Sequence, residues 1–387
     1  MARSDRQGCV RAAFGARYGA EPTVWTRAPG RVDLMGSHTD YNLGYVLTLP
    51  IDRDTWIAAR PRPDRVVCVH SLDVEGGSRF GLEAIARDAA SPWSNYVRGV
   101  ADILQAEGYS LTGFDGLVQS TIPISSGLSS SAALEAATAV LFQALGGWEI
   151  DPLRMALLCQ RAESQFVGMN CGILDQYTAI LGQEGCALLL DCRDLTSRPV
   201  TVPGDIQIVI CNTKARRELT GSEYGERRAQ CEEGARLLAR FYPEVTALRD
   251  VSRAQFAARE ADLPPVVARR CRFIIEENER VVQMAASLSA GDQAAIRDLT
   301  MSSYEGARDL YEIGSPEMEA MMHAMSGAPG VIGARQAGAG FGGCMVAFVR
   351  ATHLARFQAH VLQAYGHATG IQPEVYPVRA AAGAGLL

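Results

Sequence analysis

The sequence predicts a two-lobed α+β protein, and two observations carry this prediction. The chain has 387 residues, which is enough for two domains of ordinary size, each with its own core. Candidate strands and amphipathic helices occur in both halves, and the turn-rich segment TVPGD at 201–205 separates them. We therefore predict an N-terminal domain over 1–203 and a C-terminal domain over 204–387.

The composition limits the classes of partner. Hydrophobic residues make up 48% and charged residues 21% of the chain, which is typical of a globular protein. A net charge of −6 argues against nucleic acid or an anionic membrane as a partner. The ten cysteines form no CxxC pair, and no signal-like apolar segment or membrane-length run is apparent. We expect free thiols and a cytoplasmic location.

The first half alternates apolar segments with one strongly polar segment. Two short strands at 24–25 and 45–49 are expected to flank a polar loop that contains Arg31, Asp33, Ser37, His38 and Asp40. So much charge between buried strands exceeds what a turn needs, which favours a functional loop. The other predicted strands are 55–60, 66–71, 114–121 and 187–191, and the predicted helices are 10–18, 94–105, 152–166 and 172–181.

A serine-rich loop precedes an alanine-rich helix at 123–140. Its residues Gly127, Ser129, Ser130 and Ser131 have little side-chain bulk, so an anion could approach the backbone. The free N–H groups and the positive dipole end of the following helix would face such an anion. Ordinary N-capping is the alternative explanation. Because Lys214 is the only lysine, the Walker pattern GxxxxGK[ST] is excluded, and backbone, hydroxyl, metal and arginine groups must hold any nucleotide phosphate.

The second half combines long helices with a glycine-rich loop. Predicted strands at 206–212, 344–349 and 374–378 accompany helices at 222–241, 265–288, 292–311 and 353–365, with a further helix from Pro316. The segment GARQAGAGFGGC at 333–344 is expected to be mainly loop. The alanine- and glycine-rich tail after Arg379 is expected to fray.

Three segments together resemble the motifs of the GHMP small-molecule kinases. They are APGRVDLMGSHTDYNLGYVL at 28–47, PISSGLSSSAA at 123–133 and GARQAGAGFGGC at 333–344. The resemblance covers nearly the whole chain and, within that family, is closest to the galactokinases. It implies an N-terminal mixed-sheet lobe with helices, a C-terminal α+β lobe and an active site in the cleft between them.

The resemblance also implies roles for individual residues. Asp175 matches the catalytic aspartate of the family, and Arg31 matches the arginine that would keep it ionised and offset charge on the phosphoryl group. Ser131 and Glu163 match the ligands of Mg²⁺, which prefers oxygen donors. The nucleotide-binding residues so implied are Gly127, Ser129, Ser130, Ser131 and Trp93, where Trp93 would be a wall of the adenine pocket or an ordinary core residue.

The remaining matches concern the sugar. The substrate-binding residues implied are Ser37, His38, Asp40, Gly172 and Tyr224, with Arg216 nearby. The implied reaction is the ATP-dependent phosphorylation of the C1 hydroxyl of galactose by a monomeric enzyme. Intact motifs argue against a non-catalytic galactose sensor, and HTDYN argues against mevalonate or homoserine as the substrate.

Two positions depart from the usual galactokinase sequence GRVNLIGEHTDYN. Asp33 stands where asparagine is usual, and Ser37 stands where a glutamate is thought to bind the C6 hydroxyl of the sugar. The segment RVDLMG is similar to that of L-arabinokinases. We therefore keep a second hypothesis, that the acceptor is another galacto-configured sugar such as L-arabinose or galacturonate.

Overall fold

The computed structural model describes residues 3–124, 126–169, 171–215 and 222–387. Their arrangement is mixed α+β, which confirms the predicted class. The helices are α1 (Arg3–Tyr18), α2 (Asn95–Ala106), α3 (Ser130–Gly146), α4 (Pro152–Arg161), α5 (Leu174–Leu181), α6 (Ser222–Leu238), α7 (Arg253–Arg259), α8 (Pro265–Ala290), α9 (Gln293–Asp309), α10 (Pro316–Ser326) and α11 (Leu354–Thr369). A π-helical turn, Ala162–Val167, continues α4. Among these described helices, none is long and apolar enough to span a membrane.

The strands form two sheets. They are β1 (Val24–Met35), β2 (Tyr45–Arg62), β3 (Val66–Ser71), β4 (Gly77–Gly81), β5 (Gly113–Ser120), β6 (Cys186–Asp191), β7 (Thr196–Thr201), β8 (Ile206–Asn212), β9 (Val331–Gln336), β10 (Cys344–Arg350), β11 (Glu374–Val378) and β12 (Gly385–Leu386). The first sheet has eight strands in the order β12-β1-β2-β5-β3-β4, with β6 beside β2 and β7 beside β6. Only the β3–β5 pairing in it is parallel. The second sheet is antiparallel, in the order β11-β8-β10-β9.

The change from one sheet to the other falls at the predicted boundary. Strands β1 to β7 belong to the first sheet and end at Thr201, and the second sheet begins with β8 at Ile206. The terminal strand β12 returns to the first sheet. The largest buried apolar cluster nevertheless takes residues from both sides, including Leu34 and Ile57 from one and Ile208 and Phe348 from the other. The division at residue 203 stays a prediction.

The prediction of a polar loop over Arg31 and Asp33 was wrong, because β1 continues through both residues. The sequence favoured a break at Pro29-Gly30. The strand accommodates this pair because its register with β2 shifts between Pro29 and Arg31, and proline is tolerated at such irregularities. Gly30 fits because a Cβ there would lie 2.6 Å from the Leu128 carbonyl oxygen. Likewise, the two predicted strands at 45–49 and 55–60 are a single strand, β2.

Contrary to the expectation from its composition, the C-terminal tail does not fray. Its strand β12 pairs with β1, and the amide of Ala384 donates to the carbonyl of Ala179 in α5. The Arg27 guanidinium donates to the carbonyls of Ala382 and Gly383. Backbone hydrogen bonds of this kind are independent of side-chain type, so the alanine- and glycine-rich composition gave no sign of them. The last residues therefore brace both the strand that carries Arg31 and the helix that carries Asp175.

Candidate active site

A cavity of about 990 Å³ gathers most of the predicted catalytic and sugar-binding residues. Its walls come from β1, the connection between β1 and β2, the segment that leads into α5 with the start of that helix, the N-terminal part of α6 and the glycine-rich loop before β10. The predicted residues that line it are Arg31, Ser37, His38, Asp40, Gly172, Asp175 and Tyr224. These residues are up to 193 positions apart in the sequence, between Arg31 and Tyr224, and the fold brings them to one place.

Arg31 and Asp175 form an ion pair in the wall of this cavity. Arg31 Nε and Nη2 lie 2.8 and 2.7 Å from Asp175 Oδ1. Burial alone would lower the pKa of Arg31, but the carboxylates of Asp175 and Asp33 outweigh it and raise that pKa. Asp33 lies 3.3 Å from Arg31 Nε, and burial raises the pKa of the Asp33 carboxyl. The guanidinium therefore stays charged beside the aspartate that the sequence predicts to be catalytic.

The serine-rich loop adjoins this ion pair. Arg31 Nη1 donates to the Gly127 carbonyl oxygen at 2.6 Å, and the Ser129 hydroxyl donates to Asp175 Oδ2. Gly127 and Ser129 both have positive φ, 80° and 58°, which turns the chain sharply into α3. Because Ser129 does not cap the helix with its side chain, the first N–H groups of α3 remain available to an anion. Ser130 and Ser131 form the first turn of that helix.

Ser131 and Glu163 lie together, as predicted for a metal site. The Ser131 hydroxyl lies near enough to the Glu163 carboxyl to act on its pKa, and Glu163 is 6% exposed. Burial, followed by the nearby Asp175 charge, raises the pKa of Glu163. A carboxylate and a hydroxyl are oxygen donors of the kind that Mg²⁺ takes, usually with phosphate and water completing its coordination. Among the described residues no group of three or more His, Cys, Asp or Glu could hold a metal ion.

Asp40, Gly172 and Tyr224 also line the cavity. Burial raises the pKa of the Asp40 carboxyl to about 6, and the charges of Asp33 and Asp175 act in the same direction. Gly172 lies so close to Asp40 that a Cβ would stand 2.3 Å from Asp40 Oδ2. The Tyr224 ring lies 5.3 Å from the His38 ring, centroid to centroid. A carboxylate and a phenol together can both accept and donate, which suits a polyhydroxylated ligand.

Both ring nitrogens of His38 are occupied by protein groups. Nε2 lies 2.9 Å from the Ala339 carbonyl oxygen, and Nδ1 lies 2.8 Å from the Tyr41 hydroxyl. A carbonyl oxygen can only accept, so Nε2 carries the proton and Nδ1 accepts from Tyr41. Burial lowers the pKa of His38 to about 4, which keeps the ring neutral. The imidazole therefore joins the sugar-side loop to the glycine-rich loop.

The Ser37 hydroxyl accepts a hydrogen bond from Arg335 Nη2 at 3.0 Å. Arg335 and its partner Glu277 are both fully buried, 3.1 Å apart, and Glu277 Oε1 also accepts the amide of Gly36. Despite its burial, the pKa of Glu277 is lowered because Arg280 and Arg335 face it. Ser37 thus lies in the cavity wall, hydrogen-bonded to Arg335, whose positive charge is balanced by Glu277.

Trp93 is not among the described residues that line this cavity. Trp93 lies on a 3₁₀ turn, Pro92–Ser94, ahead of α2 and packs against the largest apolar cluster. Its assignment to an adenine pocket stays a prediction. Arg216 falls outside the described residues.

Sequence reasoning missed four buried residues behind the cavity. They are Glu135, Gln176, Glu277 and Arg335. Glu135 carried a signal that could have been used, because it interrupts the apolar run of α3 from Ala132 to Phe142. A carboxyl in such a run needs a partner. Glu277 and Arg335 are 58 residues apart, and nothing local in the sequence pairs them.

Comparisons with known proteins agree with this geometry. The family models for the GHMP kinases N terminal domain, the galactokinase galactose-binding signature and the GHMP kinases C terminal domain match residues 95–183, 12–61 and 284–368. A galactokinase of Roseiflexus sp. (strain RS-1) is 43% identical over 98% of this chain and 96% of its own length. A galactokinase of Chloroflexus aurantiacus is 43% identical over 97% of this chain and 96% of its own.

Solved structures give the same result. The crystal structure of Lactococcus lactis galactokinase complexed with galactose superposes with a TM-score of 0.93, at 32% identity, covering 99% of this chain and 100% of that one. The Methanococcus jannaschii mevalonate kinase, at 16% identity, 94% and 99% coverage and a TM-score of 0.66, shares the fold alone. The chain belongs to the GHMP kinase family of small-molecule kinases. Within that family it is a member of the galactokinases, enzymes whose co-substrate is ATP.

Proposed function

We propose that this enzyme transfers the γ-phosphoryl group of ATP to the C1 hydroxyl of galactose, giving galactose 1-phosphate and ADP. The observation that carries the proposal is the Arg31–Asp175 ion pair, which lies between the serine-rich loop and the cavity. The galactose-binding signature at 12–61 and the likeness to a galactokinase crystallised with galactose support it.

In this reaction Asp175 would face the C1 hydroxyl. Its carboxylate would take the proton of that hydroxyl or hold the hydroxyl in line with the phosphoryl group. Phosphoryl transfer depends mainly on such positioning and on charge stabilisation. Arg31 fixes Asp175 through two nitrogen contacts, and the Ser129 hydroxyl binds the other carboxylate oxygen. Arg31 also places a permanent positive charge where negative charge increases in the transition state.

The phosphates would bind at the start of α3, on the backbone and hydroxyl groups of Gly127, Ser129, Ser130 and Ser131. Ser131 and Glu163 would hold Mg²⁺. When bound, this ion neutralises phosphate charge. Trp93 remains the proposed wall of the adenine site. With a single lysine in the chain, positive charge at the phosphates would come from arginine, of which Arg31 lies in the cavity wall, and from the helix dipole.

The sugar would occupy the part of the cavity bounded by Ser37, His38, Asp40, Gly172 and Tyr224. Asp40 and Tyr224 offer polar groups to its hydroxyls. His38 contributes the shape of the wall, since both of its ring nitrogens are bound to protein atoms. Gly172 provides the space for Asp40.

One observation favours a second candidate acceptor. The wall at Ser37 presents a hydroxyl on a neutralised Arg335–Glu277 pair, where the galactokinases usually place a carboxylate. A substituent at C6 would lose one hydrogen bond, worth about 1 kcal/mol, and would meet no repulsive charge at this position. L-Arabinose, which lacks C6, and galacturonate, which carries a carboxylate there, are therefore the alternative acceptors. The monomeric state and the cytoplasmic location stay predictions.

The test is the turnover of Asp175→Asn with a sugar panel. Asparagine keeps the size of the side chain, its amide oxygen can accept from Arg31 and its NH2 group can donate to the Ser129 hydroxyl oxygen, but it cannot take a proton, so kcat should fall by about 10²–10⁴-fold. Asp64→Asn, a change of the same charge at a surface carboxylate bound to Arg62, is the control and should leave kcat unchanged. Near-normal kcat in Asp175→Asn would refute its role as the base.

The same assay identifies the acceptor. We expect kcat/KM of the unmodified enzyme for galactose to exceed that for L-arabinose and galacturonate, by about tenfold or less because only one hydrogen bond separates them. A higher kcat/KM for L-arabinose or galacturonate would identify that sugar, and not galactose, as the acceptor. Absence of ATP turnover with all three sugars would contradict the proposed function itself.

A further inference from the structure

Gln176 connects two buried glutamates behind the active site. Its Nε2 lies 2.9 Å from Glu135 Oε2 and 2.6 Å from Glu163 Oε2. An amide nitrogen carries two hydrogens, so it can donate one to each carboxyl group. The reverse orientation of the amide would turn its oxygen towards Glu163 Oε2, and an ionised Glu163, the form that binds a metal ion, cannot donate to it. The orientation of Gln176 is therefore fixed by its partners.

Two oxygens of this arrangement have no partner among the described atoms. They are Glu135 Oε1 and Gln176 Oε1, both buried in side chains that are 0% exposed. An ionised Glu135 would be a buried charge with one hydrogen bond, beside an amide oxygen with none. A single proton on Glu135 Oε1 would remove the buried charge and turn that atom into a donor, and Gln176 Oε1 is the unpartnered acceptor of the same amide that already donates to Glu135. Acid and amide would then form a closed pair with two hydrogen bonds.

We propose that Glu135 is a neutral acid that pairs with the amide of Gln176 and thereby positions Gln176 to hold Glu163. The functional half of this inference rests on the proposed function, which makes Glu163 a metal ligand. Glu135 is not among the residues that line the cavity, so it is a positioning residue and not a catalytic one. Burial, and next the charge of Glu163, raise the pKa of Glu135 well above its ordinary value, in agreement with the hydrogen-bond pattern.

The Glu135–Gln176 pair connects the elements that carry Glu163 and Asp175. Gln176 follows Asp175 directly on α5, and Glu163 lies on the π-helical turn after α4. The Glu135–Gln176 pair on α3 and α5 therefore fixes the proposed metal ligand relative to the proposed base. Neutrality of Glu135 also keeps a third negative charge away from the carboxylates of Glu163 and Asp175.

Two substitutions of Glu135 distinguish this proposal from its alternatives. Glu135→Gln can form the same closed pair, amide to amide, whereas Glu135→Met keeps the size and removes both hydrogen bonds. We expect Glu135→Gln to keep kcat and the Mg²⁺ concentration for half-maximal activity within about twofold of the unmodified enzyme. Glu135→Met should raise that Mg²⁺ concentration by about tenfold or more, because Gln176 is left unpaired. Equal impairment of the two variants would overturn the proposal, since it would mean that a carboxylate is required.

A second measurement needs neither metal nor turnover. The infrared difference spectrum between the unmodified protein and Glu135→Gln, recorded with EDTA at neutral pH, should contain the C=O stretch of a protonated carboxylic acid. A spectrum with only carboxylate bands would overturn the proposal, even if Glu135→Met fails to fold. If the acid band is present but no sugar is phosphorylated, the proposed function fails and the neutral pair stands. The two hypotheses therefore fail separately.

Discussion

The imidazole of His38 should stay neutral across the pH range in which an unfolded histidine takes up a proton. In the folded protein its Nε2 donates to Ala339, its Nδ1 accepts from Tyr41, and burial lowers its pKa from 6.5 to about 4. Between these two pH values the histidine is protonated in the unfolded state and neutral in the native state. Stability should therefore fall as the pH decreases from 6.5 towards 4, by about 2 kcal/mol at pH 5 from this residue.

The perturbation that removes this effect is His38→Asn. Asparagine tolerates the left-handed backbone at this position, where φ is 65°, and does not titrate. The variant should be less stable at pH 7.5, because it loses the bond to Ala339. Its further loss of stability between pH 7.5 and pH 5 should be smaller than that of the unmodified protein by about 2 kcal/mol. His323→Asn, at an exposed histidine on α10, is the control and should follow the unmodified protein.

Two assays measure this prediction. Denaturant unfolding at pH 7.5 and pH 5 gives the change in stability for the three proteins. Ring-proton NMR gives the protonation of His38 directly, because the chain has only six histidines and the signal absent from His38→Asn identifies the residue. A His38 signal that titrates near pH 6.5, or parallel pH profiles of the unmodified protein and His38→Asn, would refute the reasoning.

Two further predictions concern the backbone around the site. Gly172→Ala would place a Cβ 2.3 Å from Asp40 Oδ2 and should lower kcat/KM for the sugar by about 10²-fold, through a displaced Asp40. Gly225→Ala, in the same cavity with nothing within 4 Å of its added Cβ, is the control, and equal kinetics of the two variants would contradict the prediction. Deletion of residues 380–387 removes β12 and the tail's bonds to Pro50, Ala179 and Gly182, at about 1 kcal/mol each. The thermal unfolding midpoint should then fall, and an unchanged midpoint would show that the tail does not stabilise the fold.

Much of the fold was predictable because its signals are local. Strands β3, β8 and β11 have the bounds that their apolar patterns predicted, and helices α8 and α9 lie within two residues of theirs. The errors occurred where long-range pairing overrode a local signal. Pro29-Gly30 is a turn signal on its own, yet β1 passes through it, since β2 and the Leu128 carbonyl support the backbone on both sides. The tail was mispredicted for the same reason.

The candidate site shows the same division. The motifs predicted that Arg31 partners Asp175, and the structure contains this contact, whereas the roles of Arg31, Asp175 and Ser131 stay predictions. Ser37 was identified by its departure from the usual glutamate, but the partner of its hydroxyl, Arg335, is 298 residues away. No pattern along the chain contains such a pairing.

By itself, the sequence determined the class of this protein and the identity of its reactive groups, since a carboxylate, a guanidinium or a hydroxyl has its chemistry wherever it lies. Only the tertiary structure decided the protonation and the direction of those groups. Neutral His38 follows from the carbonyl and the phenol that bind its two nitrogens, and the proposed neutrality of Glu135 follows from two buried oxygens, Glu135 Oε1 and Gln176 Oε1, that lack a partner among the described atoms. The physical reason is that hydrogen bonding and desolvation depend on which atoms the fold brings within a few ångströms.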